Sequence, residues 1–158
     1  MSTSRKRSAI IVIGVIFIAI LIFALCSKNE SSKAESVAKS FVEYTLNGKP
    51  DKAFKYVSDL MVEESGAATR KIFQNTFVNN VESVLKQNKS VSYKKIKVID
   101  SYYPDIPATS SLANYEVIQV VLEGEYKKNG LLSSKDGKDT MNIVLIKERG
   151  SWKVYNFS

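Results

Sequence analysis

The stretch IVLIKERGSWKVYNF, residues 143–157, has the pattern of a β-hairpin. Apolar side chains alternate with other residues in both of its halves, and the alternation begins slightly upstream. The alternating apolar residues are Met141, Ile143, Leu145, Trp152 and Val154. A period of two places such side chains on one face of a strand, and Arg149-Gly150 between the halves is a turn signal. We therefore predict two antiparallel strands, 139–148 and 151–157, that share an apolar face.

Two earlier segments show the same alternation. Residues 90–103 place Ile96, Val98, Asp100 and Tyr102 on one face, and residues 113–126 place Ile118, Val120, Leu122 and Tyr126 together. The connections are PDIPATSS at 104–111 and KKNGLLSSKDGK at 127–138, which are rich in turn-forming residues. The pattern predicts an antiparallel sheet of about four strands.

Before residue 90 the apolar period changes to that of a helix. In SSKAES, Ser32 and Glu35 have the spacing of a capping box, so a first helix is predicted to begin there. Its apolar stripe consists of Ala34, Val37, Ala38, Phe41 and Thr45. Asn47-Gly48 is a typical left-handed helix stop.

Two further helices are predicted. Pro50 suits a first helical turn, so residues 51–61 are expected to form a second helix after a tight connection. Residues 67–88 form a third and longer helix. Its apolar face consists of Phe73, Phe77, Val81, Val84 and Leu85.

Helices followed by a meander of strands indicate an α+β fold, with three helices on the concave face of a curved, cone-like antiparallel sheet. The segments AESVAKSFVEYTLNGKPDKAFKYVSDLM, residues 34–61, and IVLIKERGSWKVYNF resemble the nuclear transport factor two-like (cystatin-like) superfamily. Many small bacterial envelope lipoproteins of unknown function share this arrangement. The resemblance covers about residues 32 to 158, and it implies a fold rather than a function.

The superfamily includes ketosteroid isomerase-like and dehydratase-like enzymes, which draws attention to acids and phenols in the cone. Asp100 and Tyr102 would aim a carboxyl and a phenol at one pocket, and Tyr44 or Tyr126 would join them. The alternative is a solvated carboxylate and a rim or core aromatic. No residue matches a catalytic motif of the superfamily.

Composition excludes several kinds of site. The chain has no His and a single Cys, which rules out Cys/His zinc sites, the Ser-His-Asp triad and the Cys-His pair. We therefore predict no catalytic residues, no metal, no cofactor and no enzymatic activity.

The N-terminus carries an uncharged apolar run from Ala9 to Leu25. Extended by its flanking serines, the run would form a helix about 30 Å long, which matches the hydrocarbon core of a bilayer. Basic residues 5–7 precede it and favour a cytoplasmic N-terminus. The predicted organisation is a cytoplasmic tail at 1–8, an anchor or signal segment at 9–26, a polar tether at 27–31 and an extracytoplasmic domain at 32–158.

Three fates of this segment are open at the level of the sequence. It is retained as an anchor, or it is a lipoprotein signal in which Cys26 receives the lipid, or it is cleaved after Cys26 to release a secreted protein. All three place the domain outside the cytoplasm. Lipoprotein signals require a small residue before the Cys, whereas Leu25 is bulky.

The net charge of the chain and the loop at 127–138 indicate which partners to expect. The net charge of +7 includes residues 5–7, and no dense basic run follows, so nucleic acid is not expected as a partner. Leu131 and Leu132 lie side by side in an otherwise polar loop. Either they dock on a partner, a second copy or the lipid surface, or they fold back on the sheet edge, or the strands extend further and one leucine is a core residue.

The leading functional hypothesis is a membrane-tethered, non-catalytic binding domain of the cell envelope. Its partners would be the membrane and another envelope protein or a second copy. The alternative is a structural subunit of a secretion or conjugation apparatus, which shares the layout of a basic tail, one transmembrane helix and a domain of this fold. An enzyme that uses the cone pocket is a third hypothesis.

Overall fold

The computed structural model describes residues 29–130 and 134–158, and it shows an α+β fold. The helices are α1 (29–46), α2 (Pro50–Phe54), α3 (Asp59–Glu64) and α4 (Arg70–Gln87). The strands are β1 (Val91–Tyr102), β2 (Val117–Asn129), β3 (Ser134–Glu148) and β4 (Ser151–Phe157). Residues Lys33–Ser158 form one compact unit.

The four strands form one antiparallel sheet in the order β1-β2-β3-β4, as the alternation predicts. The β3–β4 turn is also confirmed: Arg149 and Gly150 have φ of 50° and 80°. A two-residue hairpin turn of this kind requires positive φ at both central residues, and its backbone twist then matches the twist of the two strands. Trp152 and Val154 are buried as predicted.

One face of the sheet, called here the inner face, packs against the helices. Its buried side chains include Ile96, Ile118, Val120, Leu122, Ile143 and Leu145. The helices contribute Ala34, Ala38 and Phe41 from α1, Phe54 from α2 and Phe77 from α4. Val84 departs from the predicted face of α4, since it is 56% exposed.

The first helix does not begin where the sequence predicts. Residues 29–32 are already helical, so Ser32 lies inside α1 and the predicted capping box is wrong. The predicted end is confirmed. Gly48 has φ of 67°, and the amide of Lys49 donates to the carbonyl of Tyr44 at 2.9 Å, a bond that closes the last turn.

The predicted second helix is divided into two. Pro50 opens α2 as predicted, but α2 ends at Phe54 and α3 begins at Asp59. Between them, the amide of Ser58 donates to the carbonyl of Val154 at 2.8 Å, and the amide of Val154 donates to the carbonyl of Tyr56 at 2.7 Å. The interruption satisfies backbone groups on the edge of β4 that a continuous helix would leave without partners.

The two long connections also differ from their predicted form. The β1–β2 connection forms a second small core on the outer face, where Leu112 packs with Val117 and Ile146. The β2–β3 hairpin is longer than predicted, because its pairing continues to Asn129 opposite Ser134. Leu131 and Leu132 lie outside the described residues.

The N-terminal predictions also fall outside the described residues. This applies to the apolar run, to Cys26 and to its three proposed fates. Among the helices that the structure describes, none is long and apolar enough to cross a membrane.

Candidate functional site

A bulge in β1 changes the placement of Asp100 and Tyr102. Val98 pairs with Leu122, which is on the inner face, whereas Asp100 pairs with Val121, so Ile99 is an additional residue in the strand. One inserted residue reverses the alternation of all side chains that follow it. Asp100 and Tyr102 therefore lie on the outer face, and the prediction that they share a face with Ile96 and Val98 is wrong.

Hydrogen bonding agrees with this reversal. Ser101 lies on the inner face after the bulge, and its hydroxyl donates to the Glu35 carboxylate on α1 at 2.6 Å. Asp100 accepts the amide of Ser101 at 2.8 Å and is exposed, and Tyr102 is 43% exposed. The pair thus sits at the surface, on the opposite side of the sheet from the helices.

A cavity of about 440 Å³ opens on the inner face at the other end of β1. It lies where α1 and α4 end, β1 begins, and β2 and β3 run toward their hairpin connection. Its lining consists of Leu46, Asn47, Val84, Leu85, Asn88, Val91, Ser92, Tyr93, Tyr126, Lys128 and Asp139. We call it the mouth cavity.

Two tyrosines on neighbouring strands form one wall of the mouth cavity. Tyr93 and Tyr126 are paired in the β1–β2 register, and their ring centroids are 5.8 Å apart. Two strand glycines make room for the rings. A Cβ at Gly124 would lie 2.9 Å from Cδ1 of Tyr93, and one at Gly137 would lie 2.5 Å from Cζ of Tyr126. The rings therefore rest directly on the backbone of the sheet.

The hydroxyl group of Tyr93 forms a hydrogen bond within the mouth cavity. It donates to Oδ2 of Asp139 at 2.7 Å. Partial burial, followed by this hydrogen bond and the nearby negative charge of Asp139, raises the pKa of Tyr93 to about 12. The phenol is therefore neutral at physiological pH and acts as a hydrogen-bond donor.

The raised pKa gives a testable titration. In alkaline difference spectroscopy of the eight tyrosines, we expect a component near pH 12 that Tyr93→Phe removes and Asp139→Asn shifts to lower pH. The sign follows from the raised pKa: stabilisation by the neutral phenol is complete below pH 10 and is lost as pH rises through 12. Tyr102→Phe is the control and should leave this component in place. A Tyr93→Phe spectrum that retains it would contradict the assignment.

Of the four side chains that the sequence analysis considered for a pocket, only Tyr126 lines the mouth cavity. Tyr44 instead stacks on Tyr56, with centroids 6.1 Å apart, and Lys52 lies 5.8 Å from its ring. Tyr93 and Asp139 were not predicted from the sequence as pocket residues. The signal for this wall was present in Gly124 and Gly137, because glycine inside a strand often marks a close approach by another group.

Within 29–130 and 134–158, no three or more Asp, Glu, Cys or His side chains come together in a way that could hold an ion. The polar groups of the mouth cavity are instead suited to hydrogen bonding and to contact with charge.

Comparison with known proteins gives likenesses in fold. A ketosteroid isomerase-like protein from Erwinia carotovora atroseptica has 12% identity and a TM-score of 0.46, over 81% of this chain and 92% of that one. A nuclear transport factor two-like protein of unknown function from Shewanella oneidensis has 13% identity and a TM-score of 0.37, over 77% and 91%. The structural neighbours thus include the superfamily that the sequence resembles.

A third similar structure belongs to a longer protein. The helical cell shape determining protein Pgp2 from Campylobacter jejuni has 11% identity and a TM-score of 0.43, over 77% of this chain and 38% of that one. No protein-family model matches the sequence, and no curated protein is significantly similar to it.

Proposed function

We propose that this protein is a non-catalytic binding domain of the cell envelope, held at the membrane by its N-terminal segment. The mouth cavity, at the open end of the cone-like sheet, is its binding site. The observation that carries the proposal is a cavity of about 440 Å³ whose walls combine two tyrosines with apolar side chains. That volume lies within the range of about 300–1,000 Å³ typical of small-ligand sites.

The apolar side chains of the cavity wall would favour the binding of a ligand that covers them. Val84 is 56% exposed although it lines the cavity, and Leu46, Leu85 and Val91 line it too. Covering apolar surface is favourable by roughly 25 cal/mol per Å². The binding of a ligand that fills the cavity would therefore be favoured by the burial of these apolar side chains alone.

The polar groups favour binding over catalysis. The Tyr93 hydroxyl is committed to Asp139, and its raised pKa keeps it protonated at neutral pH. Asp100 and Tyr102, the other acid and phenol considered, face away from the cavity. The phenol oxygen of Tyr93, which can still accept a hydrogen bond, and the amides of Asn47 and Asn88 on the rim are suited to orienting a ligand.

The support for tethering comes from the sequence. The run from Ala9 to Leu25 is uncharged, and basic residues 5–7 precede it. Such a segment holds a domain at the membrane either as a helix or, through Cys26, by a lipid. Intact mass of the protein extracted from membranes would distinguish these two forms, and an unacylated, processed species in the medium would contradict both.

The binding site is tested by matched substitutions on α4. Val84 and Ile72 are both exposed apolar residues of this helix, at 56% and 51%, but only Val84 is part of the cavity wall. We expect native mass spectrometry of the full chain from its own membranes to show a bound small molecule. Val84→Arg should abolish this adduct by placing a charge in the apolar wall.

Ile72→Arg should leave the adduct unchanged. If both variants keep the bound molecule, or if the wild-type chain carries none under conditions that preserve other lipid adducts, the mouth cavity is not a binding site.

A further inference from the structure

We infer that the ligand of the mouth cavity is an amphiphile with a single apolar chain and an anionic head. This inference rests on the binding function proposed above and assigns the chemistry of that site. It is carried by Lys128 and Lys135, which face each other across the β2–β3 hairpin and are called here the lysine pair.

The lysine pair is an arrangement that a sheet normally avoids. Directly paired residues of antiparallel strands share a face and lie about 4.5–5.5 Å apart at their Cβ atoms, so two like charges there repel each other. Within residues 29–130 and 134–158, neither lysine side chain has an ion-pair or hydrogen-bond partner. An anion bound between them would convert this repulsion into attraction.

Several other lysines of the same sheet are paired with carboxylates. Lys97 and Lys138 both contact Oε1 of Glu123, at 2.8 Å and 3.0 Å. Lys94 lies 3.6 Å from Asp136. Carboxylates thus occupy the outer face beside these cations, whereas the lysine pair lies on the inner face.

The position of the lysine pair relates it to the cavity. Lys128 is part of the cavity lining, two residues beyond Tyr126 on the same face of β2. Val91, which is paired with Lys128 in the β1–β2 register, and Leu85 are also part of the lining. An anionic head at the lysine pair would therefore lie next to apolar surface that an attached chain could cover.

Asp139 fixes the orientation of such a ligand. It lies on the same face of β3 as Lys135, four residues further along, which corresponds to about 14 Å at 3.4 Å per residue. An anionic head beside Asp139 would be repelled. The head therefore belongs at the lysine end, and the apolar chain extends from there between α4 and the tyrosine wall.

The test uses a photoreactive dodecanoate with a diazirine in its chain, and the full protein chain in nanodiscs of neutral phosphatidylcholine. Labelled peptides are then mapped by mass spectrometry. We expect labelling of residues 84–93, displaced by unlabelled dodecanoate and not by dodecyltrimethylammonium. The double variant Lys128→Glu/Lys135→Glu should reduce this labelling at least about ten-fold, since the anionic head would lose both cationic partners and meet two like charges.

Matched variants separate charge from folding. Lys128→Arg/Lys135→Arg should retain the labelling, and Lys71→Glu, an exposed change at the other end of α4, should not alter it. Circular dichroism melting of each variant reports whether it folds. If the glutamate variant does not fold, Lys128→Gln/Lys135→Gln should give the same loss.

Each remaining outcome overturns the inference in a distinguishable way. Labelling that is insensitive to the lysine pair, or equal with a photoreactive dodecanol, would refute the anionic head while leaving the cavity as a binding site. Displacement by inorganic phosphate as effective as that by dodecanoate would show an anion site without an apolar chain. Absence of label from residues 84–93 with both probes would contradict the proposed function itself.

Discussion

Replacing Phe41 with alanine should lower the free energy of unfolding by about 3–5 kcal/mol, the usual range for removing a buried aromatic ring. Phe41 is 1% exposed and lies where α1 meets the sheet. Its ring centroid is 6.1 Å from that of Phe77 and 5.2 Å from that of Phe157. The truncation would leave a cavity beside the two remaining rings, Phe77 and Phe157, that cannot collapse without moving α1 or α4.

Urea-induced unfolding of the full chain, followed by the fluorescence of Trp152, measures this loss. Val84→Ala is the control, because a side chain that is 56% exposed should change the free energy by no more than about 0.5 kcal/mol. A loss below about 1 kcal/mol for Phe41→Ala would mean that α1 does not pack on the sheet as described.

Replacing Gly137 with valine should destabilise the wild-type protein by about 1–3 kcal/mol, because the new Cβ would overlap the ring of Tyr126. The same change in a Tyr126→Ala background should have the opposite sign. Without the ring, valine gains its ordinary strand preference over glycine, which is worth up to about 1 kcal/mol.

This reversal in sign is measured with a double-mutant cycle from urea unfolding of the four chains. Gly137→Val should also abolish the adduct in native mass spectrometry, because displaced Tyr126 would enter the mouth cavity. If Gly137→Val has the same sign in both backgrounds, the ring of Tyr126 does not rest on the glycine.

The strands and their inner face were predictable because they depend on local patterns. Alternation identified Ile118, Val120 and Leu122 correctly, since β2 has no irregularity within that run. It failed at Asp100, because a bulge at Ile99 carries no distinctive residue type. The alternation of residue types does not reveal where an extra residue is inserted, and therefore does not reveal where the side chains switch from the inner to the outer face.

The division of the second helix had a different cause. Residues 51–61 have ordinary helical periodicity, and the break at 55–58 is imposed by pairing with β4. Such a tertiary contact overrides local preference and leaves no local signal. The mouth cavity was missed for a related reason, since Tyr93, Tyr126 and Asp139 come together only through the register of three strands.

The bridge between Val57 and Val154 also constrains how the chain is made. The two residues are separated by about a hundred positions, and β4 is synthesised after every other described element. On the ribosome, and during any export in an extended form, the amide of Ser58 and the carbonyl of Tyr56 lack their hydrogen-bond partner, Val154, until β4 is present. Contacts of such long range form late because the intervening loop must first be closed. The domain should therefore mature only after translation has delivered β4, and a nascent chain stalled before residue 151 should remain sensitive to proteases between α2 and α3.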